Sequence, residues 1–149
     1  MKKEMIKLTA KQYLDQLQDI DISIDQDVSR LQALRMNATG ATGIDYTKDR
    51  VMTSPSDRLC GDVCNIMTLD EKITDKIDRF VDARERIIDQ IRGLHNPVYN
   101  QILYKVYVEY KSLKVVQKET GKSYSFIKKN HSEALQAFDE TYHELHYLV

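Results

Sequence analysis

The sequence predicts an all-α protein, in which a long antiparallel helical hairpin is followed by a C-terminal module of three helices. Three observations carry this. Only two prolines and five glycines occur in 149 residues, too few turn formers for many short strands. Two long segments repeat apolar residues in steps of four and three, the rhythm of a coiled-coil seam. Near the end, a short apolar-periodic run, a glycine and a longer run follow one another.

The first helix is announced by Thr9-Ala10-Lys11-Gln12. Thr9 can accept from the backbone of Gln12 while the Gln12 side chain reaches back, a capping box, and Leu8 and Tyr13 are spaced for a hydrophobic staple. Its seam is Tyr13, Leu17, Ile20, Ile24, Leu31, Leu34 and Ala38, with Asp27 at one apolar position beside Val28. The pattern stops at Thr39-Gly40-Ala41-Thr42-Gly43, and a connection to Ser54-Pro55-Ser56 follows, a loop over about 39–56. A structureless loop of that length is expected to pack or to carry function.

The second helix, from about Asp57 to Leu94, would be roughly 55 Å long. Its seam runs Leu59, Val63, Ile66, Asp70, Ile73, Ile77, Phe80, Arg84, Ile87, Ile91 and Leu94. Folding it back pairs Leu34 with Ile66 and Tyr13 with Phe80, and sets Asp27 near Asp70. Two carboxylates in one layer are unfavourable unless solvated or paired, so that layer is expected to be open or to meet another chain. A second apolar column adjoins the seam: Met67, Val81 and Ile88, with Leu14 and Val28 on the first helix. A lone hairpin buries a narrower stripe than that. Either a second subunit or the C-terminal module must cover the excess; a homodimer is the expectation.

His95-Asn96-Pro97 breaks the pattern and restarts it, with Asn96 as cap and Pro97 in the first turn. The domain boundary is therefore placed at 95/96, giving a 1–95 hairpin and a 96–149 module. A helix to about Tyr110 turns Ile102, Leu103, Val106 and Tyr107 inward. Ser112 caps a short helix, Leu113 to Thr120; Gly121-Lys122 makes the turn, and Ser123 caps the last helix, with Ile127, Ala134, Leu135 and Phe138 facing in. These are the parts of a helix-turn-helix.

Charge distribution adds a function class. Formal net charge is −1, yet between Lys111 and His131 six lysines stand against Glu119 alone, a local charge of +5. Tyr124, Ser125, Lys128, Lys129 and Ser132 point away from the apolar side of the last helix, near its N-terminal half. That half of a recognition helix reaches base edges in the major groove. Lys111, Ser112, Lys114, Lys118 and Lys122 surround it as candidates for DNA phosphates. The other reading of the same pattern is a lysine-coated three-helix cap.

The stretch from Ser112-Leu113-Lys114-Val115-Val116 through Gly121-Lys122-Ser123 to Ile127, His131, Ala134 and Leu135 resembles region four of bacterial sigma factors. The whole chain is similar to phage and prophage transcriptional regulators of the RinA/ArpU type. Thr9-Ala10-Lys11-Gln12-Tyr13-Leu14 and Arg50-Val51-Met52-Thr53-Ser54-Pro55 match their opening helix and their loop, and the heptad helix and the sigma-like module follow in order. The resemblance implies a regulator, an activator, of phage late genes, acting on double-stranded DNA in the cytoplasm of a bacterial host, with RNA polymerase as a possible further partner. It departs from the sigma-like pattern at Val116-Gln117, Thr120 and Asn130, where more apolar residues are usual. A degenerate module in a protein-binding role, or a small terminase-like packaging protein, are the rival readings.

Other sites fall away. Cys60 and Cys64 lack the second pair of ligands a zinc site needs, and are expected as reduced thiols. His143 and His146, three apart in the terminal turns of the expected last helix, would share a face as a metal pair, but no further ligand accompanies them. The glycines at 40 and 43 are not followed by the Gly-Lys-Ser/Thr of a phosphate loop. No nucleophile elbow or HExxH occurs, so no enzyme, metal or cofactor is expected. No apolar run reaches the length of a membrane span, and the first residues lack the apolar core of a secretory signal.

Overall fold

A computed structural model describes residues 7–38 and 55–146. Among the described residues five α-helices follow in order: α1 (Ala10–Ala38), α2 (Pro55–Arg92), α3 (Pro97–Leu103), α4 (Leu113–Thr120) and α5 (Tyr124–Thr141). A π-helical stretch, Tyr104–Val108, continues α3. Among the described residues there is no strand. The connection at 39–54, with its Arg50–Ser54 motif, lies outside the described residues, and α2 opens two residues before the expected Asp57, with Pro55 in the first turn, where its missing N–H costs nothing.

Local sequence chemistry sets the helix starts. Thr9 N–H donates to Gln12 Oε1 at 3.1 Å and Gln12 N–H donates to Thr9 Oγ1 at 3.3 Å, the reciprocal pair expected of a capping box. Leu8 and Tyr13 are both buried beside it. Asn96 Oδ1 accepts from Val98 N–H at 3.0 Å and Tyr99 N–H at 3.3 Å, with Pro97 in the first turn of α3.

The chain packs as two compact units: Ile22–Asp78, and Met1–Asp21 together with Arg79–Val149. Each long helix contributes to both, so packing does not divide the chain at 95/96.

Within Ile22–Asp78, Leu31, Leu69 and Ile73 form a small core, with Val28, Leu34 and Ile66 against it. The two helices run antiparallel, as the seam requires, but the charges correct the expected register. Asp27 ion-pairs with Lys76, whose Nζ also donates to Ser23 Oγ at 3.0 Å. Asp70 instead approaches Arg35, at 3.9 Å. The expected layer of two carboxylates does not exist. Heptad seams repeat themselves, so sliding one helix by a layer keeps apolar against apolar; the choice falls to the few polar seam positions, and Lys76 gives Asp27 a partner.

The other unit holds the main core. Leu8, Ala10, Tyr13, Leu14 and Leu17 of the N-terminal segment pack with Ala83, Ile87, Ile88 and Ile91 of α2 and with Leu103, Tyr107, Val108, Ala134, Phe138 and Leu145. Tyr13 hydroxyl donates to Gln90 Oε1 at 2.7 Å, so Tyr13 lies level with Gln90 and not with Phe80. Leu14 and Ile88, two members of the second apolar column, are buried here by the chain's own C-terminal helices, whereas Met67 stays 60% and Val81 49% exposed.

The end of α5 differs from expectation. The helix stops at Thr141, so His143 and His146 do not share a helical face. The chain leaves the helix because two side chains are drawn inward. Tyr142 packs its ring against Phe138 in a tilted arrangement, with ring centroids 4.8 Å apart, and donates its hydroxyl to Gln90 O at 2.7 Å. Leu145 is buried, and its carbonyl accepts from Leu8 N–H at 2.9 Å.

Candidate nucleic-acid interface

The helix-turn-helix has its own apolar centre. Ile102 of α3, Val116 of α4 and Ile127 of α5 bury one another, with Val106 and Leu113 packed alongside. Ser112 Oγ accepts from Val115 N–H at 3.3 Å and Ser123 Oγ accepts from Phe126 N–H at 3.2 Å, so both helices start on the serines expected to cap them. Between them Gly121 adopts φ 70°, ψ 11°, and its N–H donates to Gln117 O at 3.0 Å. That left-handed conformation costs a residue with a Cβ about 1 kcal/mol or more and costs glycine almost nothing. The turn therefore depends on glycine.

These contacts orient α5 with Ile127, Ala134 and Phe138 inward. Tyr124, Ser125, Lys128, Lys129 and Ser132 are all exposed. Lys129 comes no nearer than 4.0 Å to Glu133, on a largely exposed side chain. Among the described residues no ion pair engages Lys128. Of the five phosphate candidates, Lys114 and Lys118 are exposed and Lys122 lies over the Phe126 ring at 5.7 Å. Ser112 is exposed but its hydroxyl oxygen is already used as a cap. Lys111 departs furthest from expectation: its ammonium meets Glu109 at 2.8 Å and Glu119 at 2.8 Å.

Two of the three polar departures in the module have their side chains hydrogen-bonded. Thr120 donates its hydroxyl to Val116 O at 2.8 Å, and Asn130 donates its amide to Phe126 O at 2.8 Å. Each is only partly buried, as is Gln117. Thr120 and Asn130 thus avoid the cost of about 1–3 kcal/mol carried by an unsatisfied buried group.

Two tethers hold α5 to the preceding segment. Tyr99 hydroxyl donates to Glu133 Oε2 at 3.2 Å. Tyr107 hydroxyl and His131 Nε2 lie 2.9 Å apart, with their rings stacked at 5.7 Å. Burial, and then the charge of Lys11, hold the His131 pKa below its ordinary value; burial pushes the Tyr107 hydroxyl well up. His131 is thus favoured as the neutral ring in the fold.

Sequence reasoning missed Phe126 and Lys105. Phe126 is exposed beside Lys122, and its position off the inward face could have been read from helical spacing. Lys105, in the π-helical stretch, contacts Glu119 Oε2 at 2.7 Å. No sequence pattern marks that pairing, since the two residues are fourteen apart and belong to different elements.

Among the described residues no cluster of His, Cys, Asp and Glu could hold a metal ion, and Cys64 is a free, exposed thiol. Nor, among the described residues, is any helix long and apolar enough to cross a membrane. Comparison with protein-family models, curated proteins and solved structures finds no match.

Proposed function

We propose that this chain is a sequence-specific DNA-binding transcriptional regulator, an activator of phage late genes, that reads the major groove with α5. One observation carries the reading: a glycine turn and two serine caps present Tyr124, Ser125, Lys128, Lys129 and Ser132 together on the outward side of a helix whose other side is buried. Lysine ammonium groups can donate to guanine O6 and N7, and hydroxyls serve bases or phosphates. Lys114, Lys118 and Lys122 supply the sequence-independent attraction to the backbone.

A homodimer belongs to the same proposal, because two modules double the sequence read and favour a palindromic site. Leu14 and Ile88 are covered within one chain, so a second copy would use the exposed residues Val63, Met67 and Ile77 of α2. Light scattering on wild type and on Met67→Glu tests this; a wild-type monomer at all concentrations removes the dimer.

The central test is a mobility shift with the DNA upstream of neighbouring genes, over a salt series, comparing wild type with Lys128→Ala/Lys129→Ala. Each phosphate no longer neutralised lowers the slope of log affinity against log salt by about 0.9, and each base edge no longer read costs about 1–3 kcal/mol of discrimination. Equal affinities for the two proteins would place the groove-reading surface elsewhere. Undetectable wild-type binding at low salt would favour the protein-binding alternative, which the exposed Val115 and Phe126 also suit.

A further inference from the structure

We propose that Lys105 and Lys111 form an anion site for a DNA backbone phosphodiester, held closed by the carboxylate of Glu119. This rests on the DNA-binding reading and extends it to how affinity is set.

The geometry is that of an anion site with an internal occupant. Lys105 Nζ and Lys111 Nζ converge on the same oxygen, Glu119 Oε2, at 2.7 and 3.0 Å, and Lys111 also reaches Oε1 at 2.8 Å. Two ammonium groups so close to one oxygen repel each other, and only an anion between them makes the arrangement favourable. The two non-bridging oxygens of a phosphodiester offer the same fork as a carboxylate. The three side chains are 21–35% exposed, so an exchange of anions needs no opening of the core. Glu109 holds Lys111 from another side at 2.8 Å, which keeps its ammonium in place when Glu119 is neutralised. With both glutamates present the four charges cancel, and the cluster contributes no net attraction to DNA. Lys111, one of the six lysines counted between Lys111 and His131, is thus held back from the phosphate clamp, and Lys105 beside it.

Glu119→Gln keeps the side-chain shape and removes the competing charge. Binding of a fluorescein-labelled 30-base-pair duplex of arbitrary sequence would be followed by anisotropy from 50 to 300 mM salt. The slope of log affinity against log salt should steepen by about 0.9 for one lysine released, or roughly twice that for both. At 0.15 M the same law gives about fivefold tighter binding for one lysine and roughly thirtyfold for two, taking 1 M as the point where the counterion gain vanishes. Glu119→Gln/Lys105→Gln/Lys111→Gln should return to the wild-type slope. A triple variant that keeps the gain would show that these lysines are not the phosphate ligands. Lys105→Gln/Lys111→Gln combined with Glu109→Gln/Glu119→Gln, which removes the lysines and keeps the cluster neutral, should leave the wild-type slope unchanged, and a fall there would mean that the site is already open. Unchanged or weaker binding by a folded Glu119→Gln would mark the cluster as a brace for α4, and the proposal would be wrong. Lys128→Ala/Lys129→Ala in the same series separates the two layers: if it weakens binding while Glu119→Gln does nothing, only the closed site is overturned; if neither changes binding, the assignment of groove reading to α5 falls as well, and if the wild type does not bind the duplex at all, the DNA reading falls.

Discussion

Gly93, just after α2, is a position where one methyl group should be costly, and the reason lies in a single neighbour. A Cβ built there would stand 2.4 Å from the Tyr142 hydroxyl, while the next nearest atoms are the backbone oxygens of Gln90 and Asp89 at 3.2 and 3.4 Å. Relief requires Tyr142 to swing away. It would then give up its hydrogen bond to Gln90 O, worth about 0.5–1.5 kcal/mol, and its ring packing on Phe138, worth roughly 0.5–1.5 kcal/mol. Against this, replacing glycine stiffens the unfolded chain and returns about 0.4–1 kcal/mol. Gly93→Ala should therefore destabilise by about 1–2 kcal/mol, a fall in Tm of roughly 2–8 °C at 2–4 °C per kcal/mol for a chain this size. Tyr142→Phe alone should cost about 1 kcal/mol for the missing hydrogen bond. In the Tyr142→Phe background the obstructing oxygen is gone, and Gly93→Ala should become neutral or slightly stabilising. Urea unfolding of all four proteins, followed by circular dichroism, closes the cycle with a coupling of about 1–2 kcal/mol. Equal costs for Gly93→Ala in both backgrounds would refute the close approach as the cause.

Other outcomes follow from the same packing. His131 has a folded pKa below the ordinary value of about 6.5, so the unfolded chain binds more protons in that range; stability should fall as pH drops below about 6.5 and His131→Gln should flatten that part of the urea-midpoint profile. Lys76→Ala leaves a partly buried Asp27 without its cation and should cost up to about 1 kcal/mol, the pair being partly solvated, whereas Asp27→Leu/Lys76→Leu should recover most of that deficit in thermal melts, since an apolar pair can replace an ion pair in a helical seam. Thr9→Ala removes the side-chain acceptor of the α1 capping box and should lower stability by about 0.5–2 kcal/mol, with hydrogen exchange rising first at Gln12 N–H.

What could be read from the residues was what depends on neighbours in sequence. The caps at Thr9, Asn96, Ser112 and Ser123, the turn at Gly121 and the inward and outward sides of α5 follow from spacings of two to four residues, and the structure has them where expected. The hairpin was readable as a pairing of seams, but its register was not, because the apolar repeat matches itself at every layer and only polar pairings such as Lys76 to Asp27 break the tie. The excess apolar column raised the right question; Leu14 and Ile88 answer it within one chain by packing against residues far along the sequence. Lys111 shows the limit for the site. Charge counting places it in the phosphate clamp, while its actual company is Glu109 and Glu119, reached through the fold.

The unit that carries α5 is discontinuous, built from the first turns of α1, the last turns of α2 and everything after them. Phe138 and Leu145 share a core with Leu8, Tyr13, Leu14 and Ile87: the Tyr13 ring lies 5.9 Å from that of Phe138, and Leu8 N–H donates to Leu145 O. A gene fragment starting at Asn96 would therefore encode a recognition helix with a wet, adhesive underside. Grafting that fragment onto another oligomeriser, or exchanging it between relatives by a single crossover, would transplant an incomplete fold; two crossovers, one on each long helix, are the least that could move it intact.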